Sequence, residues 1–518
     1  MIACSAQNAR FAGSGVYCLQ RLVVSKGLPK SRLTDTLNAF NACTELGFDV
    51  QLKVLQALPP LLQNYADDLK GELLAVALQV CASLQSANVQ TVSGVAAATL
   101  QQLVTAVFEK VSTEDRRSAG IATVAEVPGA DQAIALRPAA FDAYRVFRDL
   151  VLTGEDRKTK FVDLPALTPE SSLDLLWSCI QGNERLFRSH LELSAVIRSN
   201  LLPLVTRALS EKLAFSTTVR TMRILDLVLT RYFLAYHDEC EVALGLVVQN
   251  LEPDASAPWR RALIMEVVRN FFNSGGSAID AYALYDQADN GKPIIQDMLA
   301  AFVRVASEKP AVIGLGQQST VPVGDLGSEQ ATLKATGGMT GMIGSALGVA
   351  EARVTGISSR WSVPRTACLE QLDKTDAPVL PETYVYTMIL ECLNSLSDGM
   401  AKIVLPLTVR HSGPHPSEPQ PPSAIDGKVI NEQQPQPLSR SQSFGQRAIP
   451  LNPAEIEDSP MKAKVRAVAG LVDNCWPAVL ATSSTFLNAA LEEQYYRNLI
   501  KAYQLRPGRR IASSRYRP

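Results

Sequence analysis

The chain has 518 residues, of which 47% are hydrophobic, enough apolar surface for a large buried interior. At this length a single core is not expected, so the sequence predicts several domains or one long solenoid. Lys and Arg total 50 against 51 Asp and Glu, so no basic excess indicates nucleic-acid binding. The sequence also predicts no membrane span and no signal peptide, which leaves a peripheral contact as the expected form of any membrane association.

The first block of helices occupies residues 1–112. Runs of helical period predict helices at 9–26, 30–46, 49–63, 70–86 and 88–111. The breaks fall at residues that end helices or remove backbone donors, namely Gly27, Pro29, Gly47 and the pair Pro59-Pro60. Residues 113–137 are polar and are predicted to form a loop.

The second block occupies residues 138–310. Its predicted helices are at 138–153, 168–181, 184–199, 200–213, 216–235, 237–251, 258–273 and 294–308. Met222, Leu225, Leu229 and Tyr232 step by threes and fours along one of them, which is typical of the buried stripe of an amphipathic helix.

The rest of the chain alternates between helix and segments of low hydrophobicity. Residues 311–360 are rich in Gly, Ser and Thr, and 311–380 is predicted to be a flexible connection. A helix is expected at 381–410. The segment 411–460 holds ten of the chain's 30 prolines and is predicted to be disordered. A last helical stretch is expected at 461–504, kinked or interrupted at Pro477, followed by an irregular tail at 505–518.

Helix follows helix over hundreds of residues, and no run of alternating strands is evident. Each helix has one broad apolar face that must be covered by a neighbour. The sequence therefore predicts an all-α protein, with an α-solenoid favoured over a compact bundle, and long disordered linkers.

The most distinctive motif is Tyr236-His-Asp-Glu-Cys-Glu241, between two apolar helices, which we call the acidic knot. Its His237, Asp238, Glu239 and Glu241 are of the types that bind divalent metals, but adjacent residues on a helix point in different directions. Acidic residues at a helix start also complement the helix dipole. A structural role is favoured, with metal binding, catalysis or a direct partner contact as the alternatives.

Other motifs give little support for catalysis. Nine cysteines are scattered without zinc-ligand spacing, which is typical of buried free thiols in a reducing compartment. The only histidines are His190, His237, His411 and His415, and no nucleophile elbow or Cys/His signature accompanies them. We therefore predict no catalytic, cofactor-binding or metal-binding residues.

Two motifs fall in segments of low hydrophobicity. Gly337-Gly-Met-Thr-Gly-Met-Ile-Gly-Ser345 lacks the lysine of a P-loop, so it is interpreted as a linker, with a short apolar contact to a membrane or partner as the alternative. Ser443 lies three residues after Arg440, a spacing that basophilic kinases prefer, and it is the candidate phosphorylation site.

The order of several motifs resembles one family along most of residues 8–504. The matching runs are at 8–13, 18–22, 49–59, 96–104, the acidic knot, 251–254, 259–269, 472–479 and 491–495. They resemble the DCB (dimerisation and cyclophilin-binding) and HUS regions of the large Arf guanine-nucleotide exchange factors. They are most similar to the Mon-two (monensin-sensitivity) family, the non-catalytic relatives of those factors.

The resemblance implies a partial DCB-like domain at 1–112, a HUS-like domain at 138–310 and the start of a further homology region at 461–504. It implies an armadillo/HEAT-like solenoid that acts as a scaffold in vesicle transport, cytoplasmic and peripheral on trans-Golgi and endosome membranes. The implied partners are a Dopey-type protein, an aminophospholipid flippase and an Arf-like GTPase, with a homodimer through the DCB part. By carry-over, Tyr236, Asp238 and Glu239 have a structural role in the HUS region.

The chain departs from the family pattern at both ends, where we expect part of the DCB region to be missing and the tail after Gln504 to be unrelated. Two other functions stay open at this point. One is nucleotide exchange on an Arf-family GTPase, although no Phe-Arg-Leu-Pro-Gly-Glu-like loop occurs in these 518 residues. The other is a generic helical-repeat adaptor unrelated to the Golgi.

Overall fold

The structure is a computed structural model that describes residues 2–4, 8–117, 120–129, 132–164, 166–289, 291–322, 355–410 and 460–504. It divides into two compact units. Unit 1 comprises Met1–Asn250, Ala257–Val267 and Arg365–Val379, and unit 2 comprises Leu251–Ser256, Val268–Pro364 and Leu380–Pro518. The predicted disordered linker (except Pro460), the glycine-rich stretch 337–345, Ser443 and the predicted tail all lie outside the described residues.

Unit 1 is built from consecutive helices. They are α1 (Ala9–Val24), α2 (Leu33–Ala42), α3 (Phe48–Asn64), α4 (Glu72–Ser83), α5 (Gln90–Arg116), α6 (Pro138–Gly154), α7 (Pro169–Gly182), α8 (Glu184–Ser189), α9 (Leu191–Val196), α10 (Leu202–Ser210), α11 (Phe215–Leu227) and α12 (His237–Leu251). Short π-helical segments, Ile197–Leu201 and Val228–Tyr232, continue α9 and α11. Short 3-10 turns lie at Lys30–Arg32, Leu84–Ser86, Phe233–Ala235 and Cys368–Glu370.

Helix α13 (Pro258–Asn273) begins in unit 1 and ends in unit 2. The other helices of unit 2 are α14 (Ser277–Ala281), continued by a π-helical segment at Tyr282–Asp286, α15 (Ile294–Ala306), α16 (Tyr384–Arg410), α17 (Pro460–Leu487) and α18 (Glu493–Gln504). Helix α17 runs through Pro477 as one helix.

Within each unit the helices stack on near neighbours in the chain. In unit 1, α1 packs on α3, α3 on α5, α5 on α6 and α6 on α7, and in unit 2 α15 packs on α17 and α16 on α18. This stacking of successive helices, each with one covered face, is the packing of an α-solenoid. The predicted all-α solenoid class is confirmed.

Local sequence explains several helix boundaries. The Asn8 side chain accepts from the Arg10 backbone N–H at 3.0 Å and so caps α1, and Thr168 caps α7 in the same way ahead of Pro169. The pair Pro59-Pro60 was expected to break a helix, yet both residues lie inside α3. Burial of neighbouring residues such as Leu58 and Leu61 offsets the missing backbone donors.

Helix α5 is the one helix in the described ranges with the length and apolar composition needed to cross a membrane, although the sequence suggested none. Its buried residues, which include Leu100, Leu103 and Phe108, pack within unit 1 against α3, α4, α6 and α7. These contacts are those of a core helix, and they account for its apolar character without a bilayer.

The loop expected at 113–137 is partly regular. Helix α5 extends to Arg116, and a hairpin of β1 (Ala125–Val127) and β2 (Ile134–Leu136) follows, with Ala125 opposite Leu136. Only Val127 and Leu136 in these strands are buried, so the alternation is too short for a strand prediction.

The connection expected to be flexible is anchored at points in both units. In unit 1 the fully buried Glu266 carboxylate accepts from the backbone N–H groups of Cys368 and Leu369 at 2.7 and 2.8 Å. In unit 2, Ile357 pairs with Leu491 in a parallel bridge, and Gly356 donates to the Val312 carbonyl at 2.9 Å. Hydrogen bonds to distant residues thus hold a segment that buries little apolar surface itself.

Candidate interaction site at the acidic knot

The acidic knot lies where the helical path of unit 1 is interrupted. The π-helical segment Val228–Tyr232 and a 3-10 turn, Phe233–Ala235, separate α11 from α12. The Tyr236 carbonyl then accepts from the Cys240 N–H at 2.9 Å and starts α12. Asp238 and Glu239 are in the first turn of that helix, where their charge complements its dipole.

Arg198 joins the two sides of this interruption. Its guanidinium contacts both carboxylate oxygens of Glu239, at 2.8 and 3.1 Å, and donates to the Ala235 carbonyl at 2.5 Å. The same group lies 5.3 Å from the centre of the Tyr236 ring. One arginine therefore pairs with a carboxylate, donates to a carbonyl at the end of a turn and lies against an aromatic ring.

Two tyrosines form the buried side of the knot. The Tyr232 hydroxyl donates to the Ile180 carbonyl at 2.8 Å, and the Tyr232 and Tyr236 ring centres are 6.2 Å apart. Burial raises the pKa of both phenols, and at Tyr236 a hydrogen bond with Ser194 opposes that rise. Both phenols therefore stay neutral and act as packing groups that carry a hydrogen bond.

Cys240 is buried in the same region, and burial raises the pKa of its thiol to about 12. A thiol with such a pKa carries almost no thiolate near neutral pH, so Cys240 is not placed for nucleophilic chemistry.

Asp238 is outside the contacts made by Arg198. Its side chain is 75% exposed and pairs with His237 at 3.1 Å on the surface. The structure therefore brings Tyr236 and Glu239 together, and it leaves Asp238 facing solvent. Apart from this surface pair with His237, Asp238 contributes to the knot through its place in the first turn of α12, where its charge complements the helix dipole.

His190 belongs to a second cluster of charges in unit 1. Its ring nitrogens lie 2.6 Å from Glu192 and 2.9 Å from Asp115, and Arg137 also pairs with Asp115 at 2.7 Å. The Glu192 hydrogen bond is the main cause that raises the His190 pKa to about 9. The imidazole is therefore a protonated link between two carboxylates, and this is not the environment of a catalytic base.

Sequence reasoning missed Arg198, Ser194 and Asp115. The available signal was a charged residue, Arg198, inside a run with buried Val196, Ile197 and Leu201. Its partners are about 40 residues away, so their identity depends on how the helices stack. Over the described ranges, no group of three or more His, Cys, Asp or Glu side chains is arranged to hold a metal ion.

Two family models match the chain. The model described as "Mon2/Sec7/BIG1-like, dimerisation and cyclophilin-binding domain" matches residues 1–115. The model described as "Mon2/Sec7/BIG1-like, HUS domain" matches residues 139–294, which include the acidic knot. Together they cover more than half of the chain and confirm the family resemblance seen in the sequence.

Individual relatives give the same result. A protein MON2 homolog of Schizosaccharomyces pombe is 28% identical over 407 residues, which are 78% of this chain and 24% of the relative. The protein MON2 homolog of Homo sapiens is 24% identical over 545 residues, or 97% of this chain and 30% of the relative. Protein MON2 of Saccharomyces cerevisiae is 25% identical over 420 residues, which are 78% of this chain and 24% of the relative. The chain thus spans about a quarter to a third of the length of these relatives.

Proposed function

Because the chain belongs to the Mon2/Sec7/BIG1-like family, we propose that it is a non-catalytic scaffold in vesicle-mediated protein transport. It works in the cytoplasm, peripherally on trans-Golgi and endosome membranes. Partners bind to the exposed faces of its stacked helices. The observation that carries this proposal is the succession of DCB and HUS matches along stacked helices.

The contacts at the acidic knot support a scaffold. Glu239 is engaged by Arg198, Tyr232 donates to a backbone carbonyl and Cys240 is buried, so these groups are used within the fold. Such groups set the path of the helices from α11 to α12, and that path positions the surfaces that partners contact.

The proposed partners are a Dopey-type protein, an aminophospholipid flippase and an Arf-like GTPase. The full chain, tagged at one end, would be purified from cells by affinity, and co-purifying proteins would be identified by mass spectrometry. Recovery of a Dopey-type protein supports the proposal. Diffuse cytosolic staining of the tagged chain, unchanged when the Golgi is disrupted, would instead support a generic helical-repeat adaptor.

Nucleotide exchange is the rival function with a specific chemical requirement. An exchange factor inserts a glutamate into the nucleotide site of its GTPase. The test is release of a fluorescent guanine nucleotide from a purified Arf-like GTPase, with and without the full chain. Acceleration that grows with the concentration of the chain would refute a purely scaffolding role.

The proposed homodimer through the DCB part has its own test. The "dimerisation" in the name of the family model at residues 1–115 motivates it. Sedimentation equilibrium of the purified chain over a range of concentrations would give its mass. A mass that stays at the 56.0 kDa of one chain at all concentrations would exclude the dimer.

A further inference from the structure

Helix α1 leaves large apolar side chains uncovered. Phe11, Tyr17, Leu22 and Val24 are between 42% and 63% exposed, whereas Ala12, Val16, Leu19 and Val23 are buried on the opposite side. The buried side packs on α3. Four exposed apolar residues in a helix of 16 residues exceed the scattered single cases found on ordinary surfaces.

The exposed residues are ordered around the helix. At 100° per residue, the outer face covers roughly 160°, with Arg10, Ser14 and Arg21 along its middle. Phe11 and Leu22 lie along one edge of that face, and Tyr17 and Val24 lie along the other. The exposed Cys18 thiol is on the same side as Phe11. The outer face of α1 therefore has a cationic centre between two apolar edges.

The charge of this region has one sign. Residues 1–34 contain no Asp or Glu and five basic residues, which are Arg10, Arg21, Lys26, Lys30 and Arg32. Lys30 is paired with Asp68 at 2.9 Å and Arg32 with Asp35 at 2.9 Å. Within the described ranges no ion pair involves Arg10, Arg21 or Lys26.

A neighbouring helix adds to this positive charge. Gly13 has no side chain, and the Lys53 ammonium of α3 lies 3.5 Å from the position that a Cβ would take there. The acidic residues closest in sequence to Lys53 are Asp49, in the first turn of α3, and Glu45, just before that helix, and both are exposed. The outer face of α1 itself carries only cationic, apolar and small polar groups.

We propose that the outer face of α1 is a membrane-contact surface that binds anionic phospholipid bilayers. Arginines along the middle of the face meet lipid phosphates and serine carboxylates, while the apolar side chains at its two edges insert between the headgroups on either side. The sequence of α1 has no Asp or Glu, so the charge of this face is complementary to an anionic surface. This inference rests on the proposed function, because it names the surface that a peripheral membrane scaffold would use.

The test is co-flotation of the full chain with two kinds of vesicle. One is phosphatidylcholine alone, and the other is phosphatidylcholine with ~30 mol% phosphatidylserine. The wild-type chain is expected to bind the anionic vesicles, and to bind them more weakly at high salt. Each arginine near an anionic membrane changes the partition coefficient roughly fivefold. The double variant Arg10→Ala with Arg21→Ala should therefore bind the anionic vesicles roughly 25-fold more weakly. The pair Phe11→Ser and Leu22→Ser should weaken binding to the anionic vesicles as well.

A matched control changes one exposed valine and one exposed arginine elsewhere in unit 1, Val124→Ser with Arg185→Ala. It should bind as the wild type does, and thermal unfolding by circular dichroism should show that all variants are folded. Equal binding of the wild-type chain to neutral and anionic vesicles, or unchanged binding of both α1 variants, would overturn the inference. So would a loss of self-association in the α1 variants with no loss of lipid binding, since α1 would then contact a second copy.

A parallel measurement separates this inference from the proposed function. The tagged wild-type chain is followed in cells by fractionation and microscopy. Association with Golgi and endosome membranes, combined with no binding to either protein-free vesicle, would refute the α1 surface and leave the scaffold standing. Loss of both vesicle binding and organelle association in the arginine variant, but not in the control, supports both.

Discussion

Replacement of Arg198 by Met tests whether the knot is structural. The change removes a guanidinium that contacts Glu239 and the Ala235 carbonyl and lies against the Tyr236 ring. Methionine retains much of the apolar stem, so the loss is mainly polar. We expect the free energy of unfolding of unit 1 to fall.

The magnitude follows from exposure. The Arg198 and Glu239 side chains are 41% and 24% exposed, so solvent screening limits their ion pair to about 0.5–1 kcal/mol. The lost hydrogen bond to the Ala235 carbonyl and the lost aromatic contact add about 1 kcal/mol together. The sum of about 2 kcal/mol corresponds to a fall in Tm of roughly 4–8 °C for a domain of this size.

The assay is thermal and urea unfolding of the full chain, with two comparison variants. Arg185→Met changes an exposed arginine without an ion pair among the described residues and should stay within about 0.5 kcal/mol of the wild type. Asp238→Asn should do the same because its side chain faces solvent. The reasoning fails if Arg198→Met unfolds like Arg185→Met, or if Asp238→Asn destabilises the chain as much as Arg198→Met does.

Three further predictions concern titratable groups that are buried or partly buried. Glu266→Gln should speed hydrogen exchange at the backbone amides of Cys368 and Leu369, because a neutral amide is a weaker acceptor than the carboxylate that binds them, and mass spectrometry would detect the change. Burial raises the Asp286 pKa from 3.8 to about 6, so the folded state binds more protons than the unfolded state in that range. The free energy of unfolding should therefore fall as pH rises from about 4 to 6. Asp286→Asn should remove this pH dependence, as measured by urea unfolding. The His190 pKa is raised from 6.5 to about 9, so its contribution to the free energy of unfolding is complete below pH 6.5 and is lost as pH rises through 9. The destabilisation caused by His190→Gln should therefore be smaller at about pH 10 than at about pH 6 in urea unfolding.

Helix positions could be predicted from the sequence because each helix carries its own apolar stripe. Met222, Leu225 and Leu229 are all buried, as their spacing indicates. The start of the helix after the knot was also readable, since a helix is predicted from 237 and α12 begins at His237. Local periodicity is a property of the segment itself, so it needs no knowledge of the neighbours.

Contacts between helices could not be predicted in the same way. Arg198 and Glu239 are 41 residues apart, and either could have faced solvent on its own helix. Residues 365–379 were expected to be flexible as part of the connection at 311–380, yet the backbone amides of Cys368 and Leu369 are held by the Glu266 carboxylate, about 100 residues earlier. Composition measures what a segment can bury, and it does not show where a distant carboxylate offers hydrogen bonds.

The buried charges in unit 1 share a task that explains why a helical stack without a regular repeat is stable. Arg260 donates to the carbonyls of Ala208 and Leu209 at the end of α10, at 2.8 and 2.7 Å. Asp149 accepts from the backbone N–H groups of Phe161 and Val162 at 2.6 and 2.8 Å. In each case a side chain from another element supplies the partner that a helix end or loop lacks.

Regular solenoids meet this need with the same capping residues in every repeat, whereas these two junctions of unit 1 use two different charged residues, Arg260 and Asp149. Its buried ionisable groups are therefore used to join elements, and the side chains left for recognition are on the outer helix faces. That division favours function through surfaces such as the outer face of α1, and it predicts that substitutions there should alter binding while leaving unfolding almost unchanged.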